Sequence, residues 1–393
     1  MTREKRPTAG PDREKRPKAG EDWAKKLTDV YAWQMKPTTG QAEEEGVIII
    51  AEAGVNHNGS IAMALSLVEK AKQAGADFIK FQAYIPGEMV VQGESQYRML
   101  ESLALGEKEF LLIREKCAEE KILFLASVFD EKSLALMEKL NAPAIKIPSG
   151  EITNLPLIKK AAATGRPLIL STGMSTLGEV EAAVLAAEEA GNKKIALLHC
   201  VSEYPAPLEK TNLRTIKTLQ AAFRYPVGFS DHTEGYDAAL LAVALGARII
   251  EKHFTLAKNL PGPDHKLSLT PGEFREFIEK IRSAGEALGT GRKTVTAGEK
   301  AVRAAAGKSL VARVDIAKGS VLSPDLLALK RPGTGIPPQY LPLVAKARAA
   351  RFLPKDSLLQ WSDFILEGKG ENEAGNETEN NRLNRMQGRL WDL

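Results

Sequence analysis

Between Val47 and Leu288 the chain alternates between two hydrophobic rhythms. Short apolar runs recur at Val47–Ala51, Phe78–Gln82, Ile122–Ser127, Ala144–Ile147, Pro167–Ser171, Ile195–His199, Pro226–Phe229 and Ile249–His253. The segments between them space Leu, Ile, Val and Ala at helical intervals: Met63–Ala74, Lys108–Glu119, Lys132–Leu140, Leu155–Ala163, Leu177–Ala190, Leu213–Phe223 and Tyr236–Leu245. An eighth helix is expected over Pro271–Leu288, with Thr270 as its N-cap and proline at its first position. Eight β/α units of this size predict an α/β fold closed as a (β/α)8 TIM barrel over residues 46–288. An open, doubly wound sheet is the alternative that the alternation leaves standing.

The rhythm changes on either side. Residues 1–45 read as a disordered extension in which TREKRPTAG (Thr2 to Gly10) recurs as DREKRPKAG (Asp12 to Gly20), too charged and proline-punctuated to form a core. A short helix over Trp23–Met35 is the one element expected there. After a linker at 289–308, a small β-rich domain is expected over 309–366. It contains two related phrases, Asp315-Ile316-Ala317-Lys318-Gly319 and Phe352-Leu353-Pro354-Lys355-Asp356, which imply pseudo-symmetry. Residues 367–393 read as a polar, Glu/Asn-rich tail.

Composition narrows the function classes. The chain has 393 residues, 44% hydrophobic and 26% charged, with a net charge of +4, too balanced for nucleic acid to be the main partner. No run approaches the ~18 apolar residues of a membrane span, and the charged start lacks the apolar region of a signal peptide. The two cysteines, Cys117 and Cys200, sit in apolar periodic segments and read as buried thiols of a reducing compartment. Together these point to the cytoplasm.

Candidate chemistry gathers where the apolar runs stop. Ala144–Ile147 carries Lys146 and is halted by Pro148-Ser149-Gly150-Glu151, leaving a serine and a carboxylate at its carboxyl end. Strand alternation puts Lys80 with Gln82, Glu52 with Ile48 and Ile50, and Glu251 with His253. Ser230 and His232 share parity just past the seventh run. Barrel active sites are built at this carboxyl end. All five histidines (His57, His199, His232, His253 and His265) fall at that end or in its loops, which points to one site. His232 and His253 end adjacent strands and suit one divalent cation with open positions. Lys80 and Lys146, with Ser127, Ser149, Ser171 and Ser230, suit a small phosphorylated or carboxylated anion. A buried lysine also suits a Schiff-base nucleophile, so the residues alone leave two enzyme classes open.

The motifs EAGVNHNG, IKFQ, IKIPSGEITNLP, ILSTGM, LLHCVSEYP, GFSDHT, EKHFT, PGPDH and KRPGTG, in this order over residues 47–365, resemble the sialic acid synthases. The resemblance implies a barrel followed by an antifreeze-like (SAF) domain in a domain-swapped homodimer. It also implies condensation of phosphoenolpyruvate with an N-acylated hexosamine, N-acetylmannosamine giving N-acetylneuraminate, and release of phosphate by C–O cleavage. A legionaminate-type or spore-coat polysaccharide synthase is the alternative within the family. By the same resemblance Lys80, Ser127, Lys146, Ser149, Ser171, Ser202 and Ser230 would contact phosphoenolpyruvate. Gln82, Glu151, Tyr204, Asp264 and a partner-supplied Arg331 would hold the sugar. His232 and His253 would bind Mn2+ or Mg2+, and Glu52 would be the acid/base. FLASVFD departs from the family where many members read Ser-Thr-Pro, and Ser202 stands where some carry asparagine. A non-catalytic glycan-binding coat protein is the reading from outside enzymology.

Overall fold

The computed structural model describes residues 46–366, so the readings of residues 1–45, the Trp23–Met35 helix and the tail lie outside the described residues. The chain divides into two compact units, the first ending at Gly291 and the second beginning at Arg292.

In the first unit eight parallel strands close into a barrel in sequence order: β1 (Ile48–Gly54), β2 (Phe78–Ala83), β3 (Leu123–Val128), β4 (Ile145–Ile147), β5 (Leu168–Ser171), β6 (Ile195–Cys200), β7 (Val227–Asp231) and β8 (Ile249–His253). Closure follows from β1 pairing with both β2 and β8, and it excludes the open sheet. Alternation sorts each strand's apolar residues into two layers. Ile48, Ile50, Phe78, Leu125, Ile169, Ala196, Leu198 and Ile249 fill the barrel lumen. The alternate positions, such as Ile49, Ala51, Ile79, Phe81 and Ile250, pack outward against helices including Ile61–Ala74, Leu177–Glu189 and Pro271–Leu288.

Helix starts follow local chemistry. Ser60, Asp130, Asn154 and Thr176 each accept a backbone N–H of the first turn. The Thr270 N–H and hydroxyl both donate to Glu273 Oε2 (2.9 Å each) at the start of the helix that opens with Pro271. Two helices of nine or more residues were not anticipated. The long connection after β2 contains helix Ser95–Leu103, whose Leu100 and Leu103 pack with Val55 and Tyr84. The expected linker contains helix Ala297–Ala306, started by a Thr296–Glu299 capping box that its Gly/Thr/Lys content concealed.

The second unit is built from two antiparallel pairs: β9 (Ser309–Ala312) with β10 (Leu327–Lys330), and β11 (Arg348–Ala349) with β12 (Phe364–Ile365). The repeated phrases meet face to face. Ile316 and Leu353, second in their respective phrases, exchange two backbone hydrogen bonds of 2.9 Å. They share one core with Leu310, Leu322, Leu327, Leu359 and Phe364. The two phrases thus pair with each other, and 12 buried apolar side chains close a core without a long sheet.

Candidate active site

The polar layer begins one step above the apolar lumen. Strand register sets it: Glu52 pairs with Lys80 on one side and His253 on the other, Ser127 with Lys146, and Ser230 with Glu251. Because neighbouring strands share register, their inward polar residues converge at one height at the carboxyl end of the barrel.

Lys80 is the hub. Its Nζ donates to Ser127 Oγ (2.9 Å) and lies 2.9 Å from Glu52 Oε2 and 3.6 Å from Glu251 Oε2. Burial alone would depress the ammonium, but Glu251 and Glu52 raise it above the ordinary lysine value, so Lys80 is a fixed cation. Lys146 Nζ donates to Ser171 Oγ (2.5 Å) and the Ile147 carbonyl (3.2 Å). Burial pulls it down to about 8, against the attraction of Glu251.

The two carboxylates are driven apart. Burial, opposed by Lys80 and reinforced by Glu251, pushes Glu52 up to about 7. Burial also works against ionised Glu251, but Lys80, Lys146 and a hydrogen bond from Ser230 Oγ (2.8 Å) hold it down at about 2. One buried carboxyl is poised to exchange a proton near neutrality while its neighbour stays charged, the pattern expected of an acid/base site. Both Oε2 atoms are ion-paired yet accept no well-aligned hydrogen bond among the described residues.

Two glycines mark where side chains crowd. A Cβ on Gly173 would lie 2.3 Å from Ser202 Oγ, 2.8 Å from Ser149 Oγ and 3.1 Å from Cys200 Sγ. The Gly173 N–H donates to Ser149 Oγ (3.0 Å). Glycine therefore lets the backbone approach this hydroxyl pair. Around Gly54 stand Glu52, Gln82 and Asp264, within 3.3, 3.4 and 3.7 Å of an added Cβ. Asp264, half-buried and raised by that burial, lies 3.9 Å from His253 Nδ1.

The His232 and His253 rings stand 5.4 Å apart between centroids, and the Tyr204 ring lies 4.2 Å from His232 and 5.9 Å from His253. His232 Nδ1 lies 2.8 Å from the Val201 carbonyl, which fixes the ring, with Cys200 Sγ at 3.7 Å. His253 Nδ1 is buried without a hydrogen-bond partner among the described residues. Burial and the nearby His232 hold His253 well below the ordinary histidine value, keeping it neutral. Two close imidazoles, one neutral with an unsatisfied buried nitrogen, fit a divalent cation with open positions. Among the described residues no group of three or more His, Cys, Asp or Glu forms a ready-made cage, so further donors would have to be water or substrate oxygen.

Of the predicted site residues, Glu52, Lys80, Gln82, Ser127, Lys146, Ser149, Ser171, Ser202, Tyr204, Ser230, His232, His253 and Asp264 cluster at this barrel end. Glu151 lies there too, in the turn after β4, where its Oε2 accepts from Asn154 Nδ2 (2.7 Å) beside a helix start. Arg331 belongs to the second unit, exposed just after β10. All five histidines lie at this end or in its loops, but three of them are engaged by hydrogen bonds away from the lysine–carboxylate layer. His57 accepts the Gly59 N–H at Nδ1 (3.1 Å), His199 bonds the Thr211 carbonyl (2.7 Å), and His265 bridges Thr255 and Asn58. These are satisfied structural histidines. Sequence reasoning gave no role to Glu251, although its parity with His253 was legible, nor to Cys200, which lies between Ser149 and His232.

Comparison with known proteins gives this arrangement a lineage. Residues 67–293 match the NeuB family, and residues 307–365 match the SAF domain. The chain is 45% identical over 308 residues to the N,N'-diacetyllegionaminic acid synthase of Campylobacter jejuni, covering 74% of this chain and 91% of that protein. It is 37% identical over 350 residues to the spore coat polysaccharide biosynthesis protein SpsE of Bacillus subtilis, covering 81% and 94%. The crystal structure of N-acetylneuraminic acid synthetase from Leptospira borgpetersenii in complex with citrate superposes with a TM-score of 0.64 at 37% identity, covering 66% of this chain and 90% of that one. The polar layer above the lumen thus sits in a chain that belongs to the NeuB family of sialic acid synthases, a TIM barrel followed by a SAF domain.

Proposed function

We propose that this chain is a nonulosonate synthase that joins phosphoenolpyruvate to the open-chain aldehyde of an N-acylated hexosamine. The supporting observation is the buried set of Lys80, Lys146, Ser127, Ser171 and Ser230 around two carboxylates of opposite protonation tendency. Lys80, Lys146 and the hydroxyls, with Ser149 and Ser202, hold the phosphate and carboxylate of phosphoenolpyruvate. Gln82, Glu151, Tyr204 and Asp264 orient the sugar, and Arg331 of the partner subunit reaches its acyl group. A divalent cation, Mn2+ or Mg2+, held by His232 and His253 would supply Lewis-acid polarisation of the acceptor aldehyde.

In the bond-forming step C3 of phosphoenolpyruvate attacks the aldehyde carbon, whose oxygen takes up a proton from solvent water while positive charge is left at C2. Water then adds at C2 and gives its proton to Glu52. The tetrahedral adduct loses phosphate by C–O cleavage as its C2 hydroxyl gives its proton to the departing phosphate, and leaves a 2-keto acid. Lys80 beside Glu52 keeps the base oriented, and ionised Glu251 offsets positive charge developing at C2.

Two acceptors fit this reading. One is N-acetylmannosamine, giving N-acetylneuraminate. The other is its 2,4-diacetamido-6-deoxy counterpart, which the similarity to the Campylobacter jejuni synthase supports. The domain-swapped homodimer and the cytoplasmic setting rest on the family resemblance and on composition. Among the described residues no helix is long and apolar enough to cross a membrane.

The Schiff-base reading keeps one specific support, since the depressed Lys146 is partly neutral near pH 8. Phosphoenolpyruvate carrying 18O in its bridging position separates the two. The proposed chemistry delivers the label to phosphate and leaves borohydride without an adduct. A borohydride-trapped adduct on Lys146, with activity surviving EDTA, would refute it.

A further inference from the structure

Outside the barrel wall, one residue before each site imidazole, lies a second buried charge cluster. Asp231 precedes His232 and Lys252 precedes His253, and alternation sends their side chains to the opposite face of the sheet. Both side chains are 0% exposed. Lys252 Nζ donates to Asp231 Oδ2 (2.8 Å) and to the Thr233 carbonyl (2.5 Å). The other carboxylate oxygen accepts the Thr233 N–H (2.8 Å) and hydroxyl (2.7 Å). One lysine on β8 thus grips both ends of the Asp231-His232-Thr233 turn, whose middle residue is the imidazole.

The β7–β8 ladder explains why a grip is needed there. Its register runs Phe229 with Ile250, Ser230 with Glu251, and Asp231 with Lys252, where it stops. His232 stands beyond the last pair, so no backbone bond between these two strands sets its distance from His253. A buried ion pair is a poor source of stability, because desolvation offsets its attraction and an apolar pair of similar volume often serves as well. Its value here is geometric.

We propose that Asp231 and Lys252 are positioning residues, a buried clamp that sets the separation of the His232 and His253 imidazoles where the strand ladder has ended. The inference rests on the reading of those imidazoles as a cation site. Removing Lys252 alone would strand a buried carboxylate, so the decisive variant is Asp231→Leu/Lys252→Met, which removes both charges. Mn2+ binding to full-length wild type and variant, followed by electron paramagnetic resonance of the free ion, gives a readout independent of turnover. The clamp predicts a variant with wild-type circular dichroism whose Mn2+ affinity is at least about tenfold weaker, and whose kcat falls more than its KM for phosphoenolpyruvate changes. A folded double variant that binds Mn2+ as tightly as wild type would overturn the clamp while leaving the cation site standing. A wild-type chain that binds no Mn2+ would overturn the cation site, and the clamp with it.

Discussion

Replacing Glu52 by glutamine tests the poised-carboxylate account through stability as well as rate. Glutamine keeps the shape of the protonated acid and cannot ionise. Glu52 is 3% exposed, and its folded-state pKa is raised from 4.5 to about 7. For an acid raised on folding, the native state binds more protons than the unfolded state above pH 4.5, so stability falls as pH rises. The cost accumulates between 4.5 and about 7 and then levels off. Two to three pKa units correspond to about 3 kcal/mol. Glu52→Gln lacks this cost, so its stability relative to wild type should rise across that window and reach a plateau about 3 kcal/mol higher by pH 8. The same variant should lose turnover by roughly 10²–10⁴-fold, the usual contribution of a general base. Urea unfolding of both proteins in EDTA at pH 5, 6, 7 and 8, following the barrel transition, gives the first number, and phosphate release gives the second. A stability difference that does not change with pH would refute the raised carboxyl, and near-wild-type turnover would refute its role.

Other expectations follow from the same geometry. For kcat/KM toward phosphoenolpyruvate, the rate should climb as Glu52 loses its proton near pH 7 and decline as Lys146 loses its own near pH 8, giving a narrow bell whose alkaline limb disappears in Lys146→Arg. Gly173→Ala would drive a methyl into Ser202 Oγ and Ser149 Oγ, so KM for phosphoenolpyruvate should rise by roughly tenfold or more with the barrel still folded; an unchanged KM would remove those hydroxyls from the site. Arg331→Ala should weaken sugar binding more than phosphoenolpyruvate binding, and equal losses in steady-state KM would count against its assignment.

The sequence exposed the barrel because parity is local. A polar residue an even number of positions from a lumen-facing apolar side chain must share its face, and Glu52 with Ile50, Lys80 with Phe78 and His253 with Ile249 were readable on that ground alone. Partners were not readable, because they depend on register between strands. Nothing in the run IIEKH says that Glu251 meets Ser230 and Lys80, or that Lys252 meets Asp231 on the other side of the wall. The histidines show the same limit: position along the chain put all five at one end, where they lie, but it did not reveal the hydrogen bonds that engage His57, His199 and His265. Helix Ala297–Ala306 was missed because a capping box outweighed a linker-like composition.

The central claim is carbon–carbon bond formation from phosphoenolpyruvate at the lysine–carboxylate layer. Full-length protein with Mn2+ and phosphoenolpyruvate, given N-acetylmannosamine or its 2,4-diacetamido-6-deoxy counterpart, should release one phosphate per sugar consumed. Mass spectrometry should find a product heavier than the acceptor by pyruvic acid, with one acceptor clearly preferred. Folded, metal-loaded protein that releases no phosphate and forms no such product with either sugar would contradict the claim.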